Sequence, residues 1–292
     1  MEEAQIRFIC QLYGISPLQK ISPVPGGTAA RVWRLDTPSG ACLLRTLASP
    51  AQGELEWAVA QHLTARGFTH FPAILPTAAG APMAEVGGAF YQMQVFCPGT
   101  RPDPDRPGVS RQIGETAADL TRALAGFVPA APMPDRFALS AAWCAGREGF
   151  PRLGLPLTLS EADRTAARLA ALPERDVQLI HGDLGLWNML DDRGVIRVID
   201  FGEARLGDPY FDLASALAGL VNHSSPERRA QNAAAFLVAC GERLPLDLPR
   251  LKGQLALWAW RGIAQCAARG EPFAGMAARM YGALRTMEEW MP

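Results

Sequence analysis

The chain has 292 residues, 49% hydrophobic and 20% charged, which suits one large or two small globular domains with a sizeable core. Twenty-eight basic and twenty-nine acidic side chains leave a net charge of −1, so there is no cationic footprint for nucleic acid, and a small, locally recognised partner is expected. Six scattered cysteines without a C-x-x-C pair argue against a disulfide framework or structural zinc. With no signal-like leader and no run approaching the ~20 apolar residues of a membrane helix, the expected compartment is the cytoplasm, without membrane contact.

Apolar residues at helical spacing, Ile6, Ile9, Cys10 and Tyr13, predict a helix over 2–14 that stops at Gly14. Three strands come next, at Ile21–Pro25, Arg31–Asp36 and Ala41–Leu47, then a helix over 51–66 and two more strands at Ala81–Val86 and Ala89–Phe96. The segment "CPGTRPDPDRPG", 97–108, reads as a linker or hinge. Beyond it the pattern turns helical, at 109–126, 139–148 and 160–171, the last with Ser160 and Asp163 as a capping box, and then at 212–222, 226–240, 249–269 and 273–289.

Between these helices lies "LIHGDLGLWNMLDDRGVIRVIDFGEA", Leu179–Ala204. "VQLI" is a short buried-strand pattern ending at His181, and the runs "NML" and "VIRVID" joined by "DDRG" make an antiparallel hairpin. Asp183 and Asn188 then sit on the loop before the hairpin and Asp200 at the end of its second strand, so their oxygens converge. Such oxygens suit Mg²⁺, held by one or two carboxylates plus substrate phosphates, while a further carboxylate takes a proton from an attacking hydroxyl. A protein kinase carries H-R-D-x-x-x-x-N followed by D-F-G in the same order.

The stretch "HGDLGLWNML…VIDFGEARLGDPYFDLA" resembles the aminoglycoside phosphotransferase and choline kinase-like family, relatives of the protein kinases that include homoserine kinases. The resemblance covers nearly the whole chain and is strongest over 179–216. It implies a two-lobed, kinase-like α+β fold, with a small β-rich nucleotide-binding lobe over 1–97, a hinge at about 95–100 and a larger, mainly helical catalytic and acceptor lobe over 98–292. It also implies transfer of the γ-phosphoryl of ATP, or GTP, to a small-molecule hydroxyl, with Asp183 as base, Asn188 and Asp200 on Mg²⁺, and His181 bracing the loop. Asp212 is expected to cap the next helix and tie down that loop. The position two after Asp183 is often His in the family and is Gly185 here.

For the nucleotide, "PVPGGTAARVWRL" offers Gly26, Gly27 and Thr28 as a backbone cradle. Arg45 stands where kinases carry their phosphate-contacting Lys, with Glu56 as its partner and Glu54 as the alternative. The backbone of Val95 and Cys97 is expected to bond adenine. Acceptor candidates are Trp187, Glu203, Asp208, Tyr210, Trp258, Trp260 and Arg261, though Trp258 and Trp260 cannot face the same side of one helix. Neutral overall charge favours an amino alcohol such as homoserine over an aminoglycoside. The rival reading is a nucleotide-binding pseudokinase, kept open by Arg45 in place of Lys; the sequence carries no signal for oligomeric state.

Overall fold

The computed structural model describes residues 2–25, 30–133, 135 and 138–290. Helix α1 (Glu3–Leu12) buries Ile6, Ile9 and Cys10 on one face and gives way to Gly14, whose φ of 67° cannot continue a helix. That face lies on an antiparallel sheet of β1 (Lys20–Val24), β2 (Val32–Thr37), β3 (Gly40–Leu47), β4 (Ile74–Leu75), β5 (Ala84–Val86) and β6 (Ala89–Val95). The sheet order is β1-β2-β3-β6-β4, with β5 also paired to β6. Alternate residues Trp33 and Leu35 of β2 and Tyr91 and Met93 of β6 meet α1, as period-2 strands require, and close a small core of their own. The strand expected from Ala81 begins at Ala84, because residues 77–81 are closed into a turn by Thr77 N–H to Ala81 O at 2.8 Å.

Helix α2 (Pro50–Ala65) starts at Ser49, whose Oγ accepts the Gln52 N–H at 3.3 Å, with Pro50 in the first turn. Its buried residues Val59, Ala60 and Leu63 belong to the large core of the C-terminal part and not to the sheet's core. The expected linker is fastened to the C-terminal part at several points. Thr100 bridges Asp191, Arg106 pairs with the Asp191 carboxylate, and Asp105 accepts from Ser225 N at 3.0 Å and Asn232 Nδ2 at 3.2 Å.

The rest is helical: α3 (Val109–Leu124), α4 (Leu139–Gly146), α5 (Leu159–Ala170), α6 (Tyr210–His223), α7 (Arg229–Gly241), α8 (Leu248–Arg269) and α9 (Ala274–Trp290). Helix α6 is buried from Tyr210 to Val221 and forms the centre, and α8 packs on α4, α6 and α9. Between α5 and α6 lie β7 (Gln178–Ile180), the hairpin β8 (Met189–Asp192) and β9 (Val195–Val198), and β10 (Arg205–Gly207), which pairs back onto β7. The expected capping box on α5 is shifted by two residues. The helix starts at Leu159, so Thr158 and Glu161 form the box, while Asp163 instead pairs with Arg147 at 2.7 Å. An antiparallel-sheet N-terminal region thus joins a helical C-terminal part, as the α+β, kinase-like expectation requires.

Candidate active site

Strand β7 delivers the chain to His181, and the turn after it needs Gly182. Its φ is 82°, and a Cβ there would stand 2.3 Å from Glu203 O. Asp212, 1% exposed on the first turn of α6, accepts the His181 N–H at 2.6 Å and the Gly182 N–H at 2.9 Å. It therefore ties down the loop as expected but does not cap α6. The N-cap of α6 is Pro209, and Asp208 just before it accepts the Tyr210 N–H at 2.9 Å. Burial pushes the Asp212 carboxyl up from its ordinary value, opposed by the His181 ring, the two amides and Arg205. The His181 ring is fully buried; its Nε2 bonds Ile199 O at 3.0 Å and its Nδ1 accepts the Asp183 N–H at 3.3 Å. That side chain joins the loop to the end of β9 and touches no open space.

Asp183 faces a cavity, with Oδ2 accepting from Trp187 Nε1 at 2.9 Å and from Asn188 Nδ2 at 2.9 Å. Burial raises its carboxyl above the ordinary value; the Trp187 bond, the His181 ring and the Asn188 bond pull it back, and Asp200 adds to the rise. Asn188 spends its Nδ2 on Asp183, which fixes the amide's orientation and turns Oδ1 away from that carboxylate, and no described residue bonds Oδ1.

Asp200 follows β9 with φ 64° and ψ 77°, left-handed backbone that Asp tolerates better than most residues, and its Oδ1 accepts the Gly202 N–H at 3.2 Å. The side chain is 57% exposed and lies 3.7 Å from Arg45 Nη1. Arg45 on β3 also donates through Nε to Gln92 Oε1 at 3.2 Å and pairs through Nη2 with Glu56 on α2. Glu56 is 4% exposed and receives Gln52 Nε2 at 2.9 Å, whereas Glu54 points to solvent, so the sequence alternatives resolve to Glu56. Burial lowers the Arg45 pKa and Asp200 opposes that shift. Phe201 packs edge-on against Phe71 and lies 4.7 Å from the His181 ring centre, locking the turn to both α2 and the loop.

The expected adenine contacts are narrowed. Val95 N–H is committed to Ala73 O at 2.8 Å, leaving the Val95 carbonyl and the Cys97 N–H for a ligand. Gly26, Gly27 and Thr28 lie outside the described residues.

A cavity of about 420 Å³ opens beside Asp183, lined by Trp187, Glu203, Trp258, Arg261, Gln265 and Arg269 among others. Four of the candidates therefore converge there: Trp187, Glu203, Trp258 and Arg261. Three do not. Tyr210 is buried, its OH donating to Pro245 O at 2.7 Å and accepting Asp247 N–H at 2.8 Å. Asp208 is buried against Arg250, and Trp260 packs in the core between Trp143 and Phe150, on the opposite side of α8 from Trp258. Arg261 is present but engaged, holding Asp135 through two bonds at 3.0 and 2.9 Å. Burial and then Arg205 bring its pKa down to about 10, against Asp135 and Glu203, so it stays charged at neutral pH. Gln265 and Arg269 were missed. Spacing from Trp258 along one helical face, at 261, 262, 265 and 269, could have found them.

Hard oxygen donors on Asn188 and Asp200 fit Mg²⁺, and among the described residues no group of three or more His, Cys, Asp or Glu makes an all-protein metal cage.

This fold and loop define a phosphotransferase of kinase-like architecture. The model of the phosphotransferase enzyme family matches residues 20–253, and the chain belongs to that family as a small-molecule kinase. Similar solved structures include an amicoumacin kinase in complex with AMP-PNP, Ca²⁺ and Ami (TM-score 0.75, 14% identity, covering 98% of this chain and 93% of that one). A microcompartment-associated aminopropanol kinase is also similar (TM-score 0.71, 16% identity, 100% and 99%). So is an aminoglycoside phosphotransferase from Alicyclobacillus acidocaldarius (TM-score 0.70, 18% identity, 98% and 93%). No curated protein sequence matched. Among the described residues no helix is long and apolar enough to cross a membrane.

Proposed function

We propose that the protein moves the γ-phosphoryl of ATP to a hydroxyl of a small amino alcohol, with Asp183 as the base. The observation that carries this is the arrangement of Asp183. One oxygen is held by two donors, leaving Oδ1 for an acceptor hydroxyl at the mouth of a cavity. Residues 1–97 supply the nucleotide side through Arg45, Glu56, the Val95 carbonyl, the Cys97 amide and, on the sequence reading, Gly26, Gly27 and Thr28. Residues 98–292 supply the loop and the acceptor cavity. Asn188 Oδ1 and Asp200 would hold Mg²⁺, which neutralises charge on the transferring phosphates. Arg45, fixed by Glu56 and Gln92, directs its remaining guanidinium edge toward Asp200 and the phosphates. His181 and Asp212 keep the loop's backbone in register and handle no proton of the reaction.

The cavity's charges support the acceptor class. Its lining carries two acids, Asp183 and Glu203, and two bases, Arg261 and Arg269. A polycationic aminoglycoside needs an excess of carboxylates to replace its hydration, whereas a neutral or zwitterionic amino alcohol such as homoserine does not. Of the similar structures, the aminopropanol kinase acts on the nearer kind of compound.

The test is ADP release from ATP and Mg²⁺ across homoserine, serine, choline, ethanolamine, aminopropanol and several aminoglycosides, with Asp183→Ala as control. Acceptor-dependent turnover that disappears in the variant is expected, with Mg-ATP binding kept within about tenfold because the base touches the acceptor. Wild-type turnover in Asp183→Ala refutes the assignment. ATP binding without turnover on any hydroxyl moves the reading to the nucleotide-binding pseudokinase.

A further inference from the structure

Gly185 has no backbone reason to be glycine. Its φ of −94° and ψ of 171° are extended values open to any residue. What excludes a side chain is Trp187. A Cβ on residue 185 would stand 2.2 Å from Cζ2 and 2.4 Å from Cε2 and Cη2 of the indole. Nor can the loop sink to make room, because α6 runs so close beneath it that a Cβ on Gly219 would lie 3.0 Å from Leu186 N. The indole is folded back over residue 185, and in that pose its Nε1–H reaches Asp183 Oδ2 at 2.9 Å. From the other side the ring stacks on Trp258 of α8, with centroids 6.5 Å and planes 23° apart, and Trp258 is only 8% exposed.

Two donors from different side chains, Trp187 Nε1 and Asn188 Nδ2, therefore meet the same carboxylate oxygen. A carboxylate so held cannot turn about χ2 without breaking both bonds, so the choice of which oxygen faces the cavity is fixed before any acceptor arrives. We propose that Trp187 is a positioning residue of the phosphoryl transfer, its indole N–H setting the face that Asp183 presents to the acceptor hydroxyl, and that Gly185 and Trp258 exist to hold that indole in place. The proposal rests on the reading of Asp183 as the base. It accounts for a pairing the sequence leaves unexplained: a glycine two residues after the base and a tryptophan two residues after that glycine.

Three substitutions separate the parts. Trp187→Phe keeps most of the ring and removes the donor, Gly185→Ala keeps the donor and displaces the ring, and Trp258→Leu removes the backing. The probe is the slow hydrolysis of ATP with water as acceptor. In Trp187→Phe, kcat falls on the order of tenfold from lost orientation while KM for ATP stays within about twofold. Gly185→Ala and Trp258→Leu move the same way, and adding Gly185→Ala to Trp187→Phe costs nothing further, since both act through one bond.

A second readout needs no turnover. In indole ¹H–¹⁵N spectra, the resonance missing from Trp187→Phe is displaced in Asp183→Ala, which removes the acceptor of its N–H. Loss of hydrolysis in Asp183→Ala with an unchanged kcat in Trp187→Phe overturns the positioning role alone, as does a Trp187 resonance that stays in place in Asp183→Ala. Retained hydrolysis in Asp183→Ala overturns the base assignment and the positioning role with it.

Discussion

Truncating Asp212 tests whether the loop is held by charge-assisted bonds or merely by packing. The carboxylate is 1% exposed and accepts two backbone N–H groups, at 2.6 Å from His181 and 2.9 Å from Gly182. Asp212→Ala leaves both amides buried without partners, at about 1–3 kcal/mol each, or roughly 4 kcal/mol in all. The buried carboxylate is itself unfavourable, as its raised pKa shows, so part of that loss is returned and roughly 3 kcal/mol remains. For a chain of this size each kcal/mol moves Tm by about 2–4 °C, giving a fall on the order of 10 °C. Asp212→Asn keeps the volume and one acceptor but turns an NH₂ toward the second amide, so its fall is about half as large. Scanning calorimetry at pH 7, checked by urea denaturation, measures both. If Asp212→Ala melts within about 2 °C of the wild type, the two bonds do not hold the loop and the reasoning fails.

As the proposed base, Asp183 would have to be a carboxylate to take a proton, and burial raises its pKa. Turnover is therefore lost as pH falls through a value above the ordinary Asp of 3.8, which a kcat/KM profile on the best acceptor will show as an acid limb shifted upward. The same raised value destabilises the folded, ionised protein: stability from this group is whole below the unfolded pKa and lost as pH rises through the folded one. Asp183→Asn should accordingly raise Tm at pH 7 while abolishing turnover, and the difference in Tm should close toward pH 4; an equal or lower Tm at pH 7 would count against it. Asp200→Ala removes one of two side chains offered to the metal and should weaken Mg-ATP binding by tenfold or more, read by isothermal calorimetry, whereas unchanged affinity denies Asp200 that role.

The sheet and most helices were legible because their periods are strong: Trp33 and Leu35 alternate, and Ile6, Ile9 and Cys10 repeat at helical spacing. Strand β4, two residues long, and β10, three residues long beside the loop, carry too few positions for any period to show. The α5 cap was misplaced because Ser160 and Asp163 mimic a box two residues downstream, and only the φ and ψ of Thr158, −72° and 156°, locate the true boundary. The residues around Asp183 were legible as a motif because one hairpin brings them together. The wall of the cavity beside Asp183 was not, since it is assembled from the loop, α8 and α9, and its members meet only through packing. Tyr210 and Asp208 were drawn in by closeness in sequence, but α6 and α8 turn both inward to hydrogen-bond and ion partners.

Helix α2 links the sheet to the segment that carries Asp183 and Asp200. It follows the sheet in sequence, yet Val59, Ala60 and Leu63 pack with Phe71 and Phe201 in the C-terminal core. Glu56, one turn before Ala60, is therefore positioned by the same core that positions Asp200. The two ends meet at Gly202, where a Cβ would lie 3.0 Å from Asp200 Oδ1, 3.5 Å from Gln52 Nε2 and 3.9 Å from Glu56 Oε1. Arg45 reaches this cluster from the sheet, paired to Glu56 and 3.7 Å from Asp200. A shift of α2 away from the core would carry Glu56 from Arg45 and Gln52 from the Asp200 turn together, since both side chains stand on that helix. On the proposed reading, the Arg45 guanidinium and the Asp200 carboxylate are therefore assembled or lost together.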